Sequence, residues 1–486
     1  MTGGRMARTR VAPGARRSAE ARHPAARASV LRHPAARTTR PARPARPDPR
    51  GASPPGGRSR RAPGSGAVID GRGMVSRALA RVGLGPSAGL RDPRLTSAPD
   101  AGLLPRRERA RGSAVLSIRP GGFVLLLALI AVLVVIGLVM VLSASSVEAL
   151  RQYGSSWYFF KRQLMWVALG STAMGVTMRM DYRWWRRVAG PLLCTCCFML
   201  LVVLVPGIGV RVGGSSRWLG FGAWRVQPSE LAKLALAFYC ADLLARRRDR
   251  MRDLRVTLRP ILIVLFVVAM LVMRQPDMGT TLVLASIVVS ILFVAGTPLP
   301  AIVGTLAMGA AGAFALGMTA SYRRARLLSF LHPWSDRSNT GYQLVQSIVG
   351  LASGGVAGVG LGASRAKWGF LPNAHTDFIF AIVGEELGLL GSLLVVALFA
   401  ALAVLGVRAA ARAPDRFGVL LGTGITAWLV GQAVINIGTV VGILPVTGVP
   451  LPFVSFGGSS LVIAMGAVGI LLNIARNERR PSSSAL

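Results

Sequence analysis

The chain has 486 residues, a formal net charge of +38 and 52% hydrophobic residues, with a mean hydropathy of +0.52. Such basicity in so apolar a chain excludes a soluble nucleic-acid binder and points to a multi-pass membrane protein whose loops hold the charge. The cysteines (Cys194, Cys196, Cys197, Cys240) all fall in apolar segments and read as small packing residues, while only His332 and His375 lie beyond the N-terminal tail, which argues against a multi-histidine metal centre.

Residues 1–119 hold 26 Arg against 6 acidic residues in a Pro/Ala/Gly-rich run with few bulky apolar side chains. That composition cannot bury a core, and a disordered cytoplasmic tail is expected. It reads either as a solvated extension with a strong positive-inside signal or as an electrostatic hold on anionic lipid or a docking segment. Met74, which opens "MVSRALARVG", is an alternative start, and no apolar run near the N-terminus reads as a cleaved signal peptide.

From residue 120 the pattern changes to apolar runs near 123–143, 160–179, 188–205, 229–245, 260–273, 279–296, 300–320, 379–407, 417–441 and 459–475. Their lengths predict an all-α integral membrane protein of about ten transmembrane helices. The basic turns "DYRWWRR" (181–187), "RRRDRMRDLR" (246–255), "RAAARAPDR" (408–416) and "RNERR" (476–480) then share one side, which the positive-inside rule makes cytoplasmic. Both termini are expected there, with a membrane domain over 120–476, a short tail at 477–486, and a long external loop, 321–378, between the seventh and eighth helices. The run 344–363, "LVQSIVGLASGGVAGVGLGA", belongs to that loop. Its glycines weaken a helix, and counting it as a span would move two basic turns outside. Partly re-entrant backbone survives only where protein or a water-filled cavity satisfies it, so the loop points to a site.

This topology leaves Arg211, Arg217, Arg225, Arg274, Arg323, Arg324, Arg326, Arg365 and Lys367 outside, with Lys233 just inside the fourth helix. Guanidinium forks suit an anionic ligand such as a diphosphate, and the alternative for each is snorkelling to lipid headgroups. "LPNAHTDFIFAIVGEELG" (371–388) sets Asp377, Glu385 and Glu386 at the mouth of the eighth run. A carboxylate where water meets low dielectric is suited to act as a general base, although an acid at a helix start also simply complements the dipole. On a helical wheel Glu385 lies about 80° from Asp377 and can line the same cavity, whereas Glu386, at about 180°, faces another helix. In "LPVTGVPLPFVSFGGSS" (444–460), Ser459 either caps the last helix or helps its free N–H groups hold an anion.

"SRWLGFGAWRVQPSELAK" (216–233), "RQPDMGT" (274–280), "GLGASRAKWGFLPNAHTDFIFAIVGEELGLLG" (360–391) and "NIGTVVGILPVTGVPLPFVSFGGSSL" (436–461) together resemble the SEDS family of bacterial shape, elongation, division and sporulation proteins. The wording of the third stretch is closer to the cell-division branch than to the elongation branch. The resemblance implies a ten-helix glycosyltransferase that polymerises lipid II into peptidoglycan glycan at the outer face of the bacterial cytoplasmic membrane. It further implies work at the septum with a class B penicillin-binding protein and other division proteins. No cofactor is implied with certainty, and a divalent cation is left open.

By that resemblance Asp377 is the catalytic base, and Arg225 and Lys233 contact substrate; the rim positions of Arg217 and Arg274, with Glu385 and Ser459, complete the expected set. The base would take a proton from the acceptor hydroxyl as it attacks the donor's anomeric carbon, inverting an α-linked donor to a β-linkage. A glycoside hydrolase uses a second carboxylate. A lipid diphosphate screened by cations already leaves well. Many division-type members carry an acid where this chain has Gly369 and Asn373, so no loop acid there tunes the base or holds a metal. The rival classes are a lipid II transporter, for which an internal repeat would be the sign and none is evident, and a non-catalytic division scaffold, which leaves Asp377 and the external cations unexplained.

Overall fold

The computed structural model describes residues 121–478 apart from 213–214, 222–223, 251–252, 320–329, 338 and 340; the side chains of a few flanking residues, Arg211 among them, are also outside that set. The N-terminal tail, Arg323, Arg324 and Arg326 thus lie outside the described residues, as does the C-terminal tail beyond Glu478.

Ten helices of 18 residues or more run through the described residues, one for each expected apolar run: α1 (Gly122–Tyr153), α2 (Tyr158–Arg179), α3 (Trp185–Leu204), α4 (Pro228–Arg246), α5 (Leu254–Met273), α6 (Met278–Ala295), α7 (Leu299–Thr319), α9 (Ile379–Ala411), α10 (Arg416–Val441) and α11 (Gly458–Arg476). Seven, namely α1, α3 with its leading turn, α5, α6, α9, α10 and α11, are long and apolar enough to cross a membrane. By contrast α4 carries Glu230, Lys233 and Asp242, and it is packed among α3, α6, α10 and α11 with Ala232 and Leu236 to Phe238 fully buried. A helix enclosed by other helices has no lipid to satisfy, so its polar groups are tolerated wherever they find partners.

Local chemistry sets the helix ends. Asp253, Asp277 and Asp415 cap α5, α6 and α10 by accepting the backbone N–H of Arg255, Thr280 and Gly418. Left-handed Gly154, Gly296 and Gly442 close α1, α6 and α10. The basic turns meet at one end of the bundle: Asp415 takes Arg183 Nε at 3.1 Å and Tyr182 Oη at 2.8 Å, Arg186 pairs with Asp242 at 3.0 Å, and Arg412 with Glu478 at 3.5 Å. Such pairs add little stability, but they place the four turns together, as the sequence reading requires.

The opposite end holds an element that the helical reading left as a loop, a three-stranded antiparallel meander of β1 (Val210–Val212), β2 (Ser215–Phe221) and β3 (Trp224–Val226). Two of its strands have three residues each, too few for alternation to show in a sequence. The same end carries the short helix α8 (Tyr342–Ser353), whose 12 residues are too few to span a bilayer. The run 344–363 is therefore no single span.

Helix α9 is broken at Gly388 (φ 67°, ψ −161°). The backbone groups the break frees bond the glycine-rich stretch after α8: Val359 and Gly360 donate to the Glu385 and Glu386 carbonyls, both at 3.0 Å, while Leu389 and Leu390 donate to Gly355 and Val356 at 2.9 and 3.2 Å. A side chain at Gly358 (φ 85°) would put its Cβ 2.2 Å from the Glu386 carbonyl oxygen, so only glycine allows this approach. Irregular backbone is thus satisfied by protein, the condition for such a stretch at membrane depth.

Candidate active site

Asp377 lies just before α9, and the chain on either side of it is stitched to α10 and the 449–456 loop through three consecutive carbonyls. His375 O accepts the Phe456 N–H at 3.0 Å, Thr376 O accepts Ser455 Oγ–H at 2.6 Å, and Asp377 O accepts Asn436 Nδ2–H at 2.7 Å. Asn436 also donates to Val449 O at 2.7 Å, and Ser455 Oγ accepts the Leu451 N–H at 2.8 Å. Each buried polar side chain therefore holds two segments at once, and the backbone on either side of the acid is fixed through its carbonyls.

The Asp377 side chain shares a small space with Arg217. A Cβ at Gly448 (φ 72°) would lie 3.5 Å from Asp377 Oδ2 and 4.0 Å from Arg217 Nη1. Arg217 is aimed there because Nε and Nη2 donate to the Gln275 and Pro276 carbonyls at 2.9 and 2.5 Å. A guanidinium so tethered keeps its charge and its remaining donors for a ligand.

The other expected contacts separate. Arg225 pairs across the sheet with Gly220, so it stands on the face opposite Arg217, and it is exposed. Arg274 is exposed at the C-terminus of α5, and Arg365 is exposed in the loop after α8. Ser459 is not the cap of α11, a place taken by Gly457; its Oγ accepts the Gln227 N–H at 3.2 Å and so ties α11 to the start of α4. Lys233 is fully buried, 2.7 Å from Glu230 Oε2 and 2.7 Å from Gln432 Oε1, with its ammonium 5.2 Å from the centre of the Trp428 ring. Beside that network a cavity of about 10 Å³ has room for about one water.

Glu385 and Glu386 are both buried and both spent on the loop. Glu385 accepts Ser364 Oγ–H at 2.5 Å and the N–H groups of Arg365 and Ala366 at 2.8 and 3.3 Å. Glu386 accepts Ser143 Oγ–H from α1 at 2.6 Å and lies 3.5 Å from Lys367 Nζ, which also donates to the Gly362 carbonyl. Lys367 is therefore a buried structural cation, not one of the rim. Among the described residues no group of three His, Cys, Asp or Glu side chains is gathered to hold a metal ion.

Sequence reasoning missed His375. Its ring lies 4.7 Å from that of Phe159 and 5.8 Å from that of Phe456, and burial pushes its pKa down from 6.5 to about 4. Unfolding therefore takes up a proton as the pH falls from 6.5 towards 4, so this residue's contribution is full above 6.5 and lost below it. The expected loss by pH 4 is about 3 kcal/mol. Denaturant midpoints measured across that range should fall in the wild type and fall less in His375→Phe; parallel curves would show that the imidazole is not the cause.

The four motif stretches thus converge at one end of the bundle. Arg217 of the first bonds the second at Gln275, Gln227 approaches Asp277 at 3.5 Å, Asn436 of the fourth bonds Asp377 of the third, and Ser459 of the fourth returns to the first. A family model described as "Cell cycle protein", FTSW_RODA_SPOVE, matches residues 123–480. The chain belongs to the SEDS family.

Within that family, similar relatives include the probable peptidoglycan glycosyltransferase FtsW of Geobacter metallireducens, 44% identical over 70% of this chain and 90% of its own length. The probable peptidoglycan glycosyltransferase FtsW of Mycobacterium tuberculosis is 43% identical over 76% of this chain and 71% of the relative. Stage V sporulation protein E of Bacillus subtilis is 41% identical over 73% of this chain and 97% of the relative. Among solved structures, a chain from a peptidoglycan synthase complex that coordinates polymerisation and crosslinking aligns with a TM-score of 0.61 at 28% identity, over 72% of this chain and 96% of that one. The rod-shape-determining protein RodA of Thermus thermophilus gives 0.54 at 26% identity, over 73% and 97%. SEDS membership accounts for the order of the four motifs, and the FtsW relatives favour the division branch.

Proposed function

We propose that this SEDS protein is a peptidoglycan glycosyltransferase that joins lipid II units into glycan at the outer face of the cytoplasmic membrane during division. The observation that carries the reading is that the Asp377 carboxylate and a tethered Arg217 both lie within 4 Å of one point beside Gly448, at the end where all four motifs meet. Asp377 takes the proton of the acceptor hydroxyl as that oxygen attacks the anomeric carbon, and the lipid diphosphate leaves. Arg217 screens the charge that grows on the diphosphate oxygens, while Arg225, on the opposite face of the sheet, and Arg274, at the end of α5, are exposed cations at the same end of the bundle. Glu385 and Ser459 act through the backbone they hold, and Lys233 through the buried network it forms with Glu230, Gln432 and Trp428.

The basic end lies in the cytoplasm with both termini, and ten helices cross the membrane. A class B penicillin-binding protein crosslinks the product, a partnership in keeping with the synthase complex that this chain resembles, and the pair works at the septum with other division proteins. The test is to supply lipid II to the purified full-length chain, with and without that partner, and to resolve the products by length. Glycan strands are expected. Movement of lipid II across a vesicle membrane without polymerisation would replace the enzyme with a transporter, and neither activity would leave a scaffold.

A further inference from the structure

A groove of about 460 Å³ runs along one face of α5, with Met308 of α7 on its facing wall. Its lining repeats at helical spacing, Arg255 and Arg259 at the start, then Leu258, Leu262, Ile263 and Phe266. From residue 254 to 266 the trough is about 18 Å long, close to the half-thickness of a hydrocarbon core, about 15 Å. It begins at the basic end of the bundle. Phe266 and Met308 are 65% and 64% exposed, so protein does not fill it.

Neither guanidinium has an acidic partner among the described residues. Arg183, Arg186, Arg246 and Arg412, at the same end, are each paired with an acid. Asp253, the nearest acid in sequence, accepts the backbone N–H of Arg255 at 3.0 Å as the cap of α5. Two unpaired arginine forks one turn apart, above a trough one leaflet deep, match a phosphate with an acyl chain below it. The structure assigns this groove to one anionic phospholipid of the cytoplasmic leaflet, its phosphate between Arg255 and Arg259 and a chain along the apolar floor. Helix α7 packs chiefly on α6, so the lipid completes the wall between α5 and α7. The site is remote from Asp377, and only the choice of leaflet rests on the membrane orientation proposed above.

The test is native mass spectrometry of the full-length protein released from bilayers of equal parts phosphatidylglycerol and phosphatidylcholine. Wild-type protein is expected to keep one phosphatidylglycerol in clear preference. Each basic residue beside an anionic headgroup is worth about fivefold in affinity, so Arg255→Ala/Arg259→Ala should lower retention about thirtyfold. Both side chains are exposed, and the variant folds. Ile263→Trp, which fills the trough and spares both arginines, should also lose the lipid, whereas Arg183→Ala, a cation at the same end outside the groove, should keep it. Equal retention of both lipids, a double variant that still selects, or an Arg183→Ala loss as large as the double variant's would each reduce the groove to ordinary boundary lipid.

Discussion

Asp377→Asn should abolish glycan synthesis while leaving the molecule intact. The segment is held through the carbonyls of His375, Thr376 and Asp377, all of which an asparagine keeps, so melting behaviour and partner binding should match the wild type. An amide does not accept the acceptor's proton, and loss of a general base costs about a hundred- to ten-thousandfold in rate. The measurement is the initial rate of lipid II consumption at saturating substrate. Rates within a few-fold of wild type would return Asp377 to a dipole-complementing acid at a helix start. Glu385→Gln serves as the contrast, since that carboxylate is occupied by Ser364 and two backbone N–H groups and should act on loop order, not on the proton.

Lys233→Met should cost stability before it costs chemistry. It strands the Glu230 carboxylate, 2% exposed, and takes one of two donors from Gln432 Oε1, which keeps only the Trp428 N–H at 2.9 Å. Breaking a buried ion pair from one side costs about 3 to 5 kcal/mol, whereas replacing both members with uncharged residues is often neutral. Glu230→Gln/Lys233→Met should therefore recover most of the melting temperature, and the recovered protein should polymerise lipid II within about tenfold of wild type. A double variant that is stable yet inactive would instead give the Lys233 charge a direct part in holding the diphosphate.

Much of the helical framework was legible because length, hydropathy and basic turns are one-dimensional signals. All ten expected runs became helices, and the turns expected on one side meet through Asp415, Asp242 and Glu478. What escaped was whatever depends on partners far away in sequence. The helical wheel that placed Glu385 in the cavity assumed that Asp377 and Glu385 share one helix, but α9 starts at Ile379 and Asp377 sits in the preceding turn. Glu386 does face another helix, through Ser143. The surroundings of Lys233, expected just inside the fourth helix as a substrate contact, escaped because a sequence shows its position in the run, not the Glu230, Gln432 and Trp428 around it. The meander was hidden by strands too short to alternate visibly, and with it the fact that Arg217 and Arg225 point to opposite faces.

The break at Gly388 opens one long helix so that backbone groups on both sides of it are paired with a neighbouring segment. Glu385 and Glu386 before it and Leu389 and Leu390 after it are bonded to 355–360 almost as a strand is bonded to its neighbour. The loop is thereby metered. One residue added or removed within 355–360 would shift every bond of that ladder and swing Glu385 and Glu386 away from Ser364, Lys367 and Ser143. Length there should be inherited as strictly as any side chain.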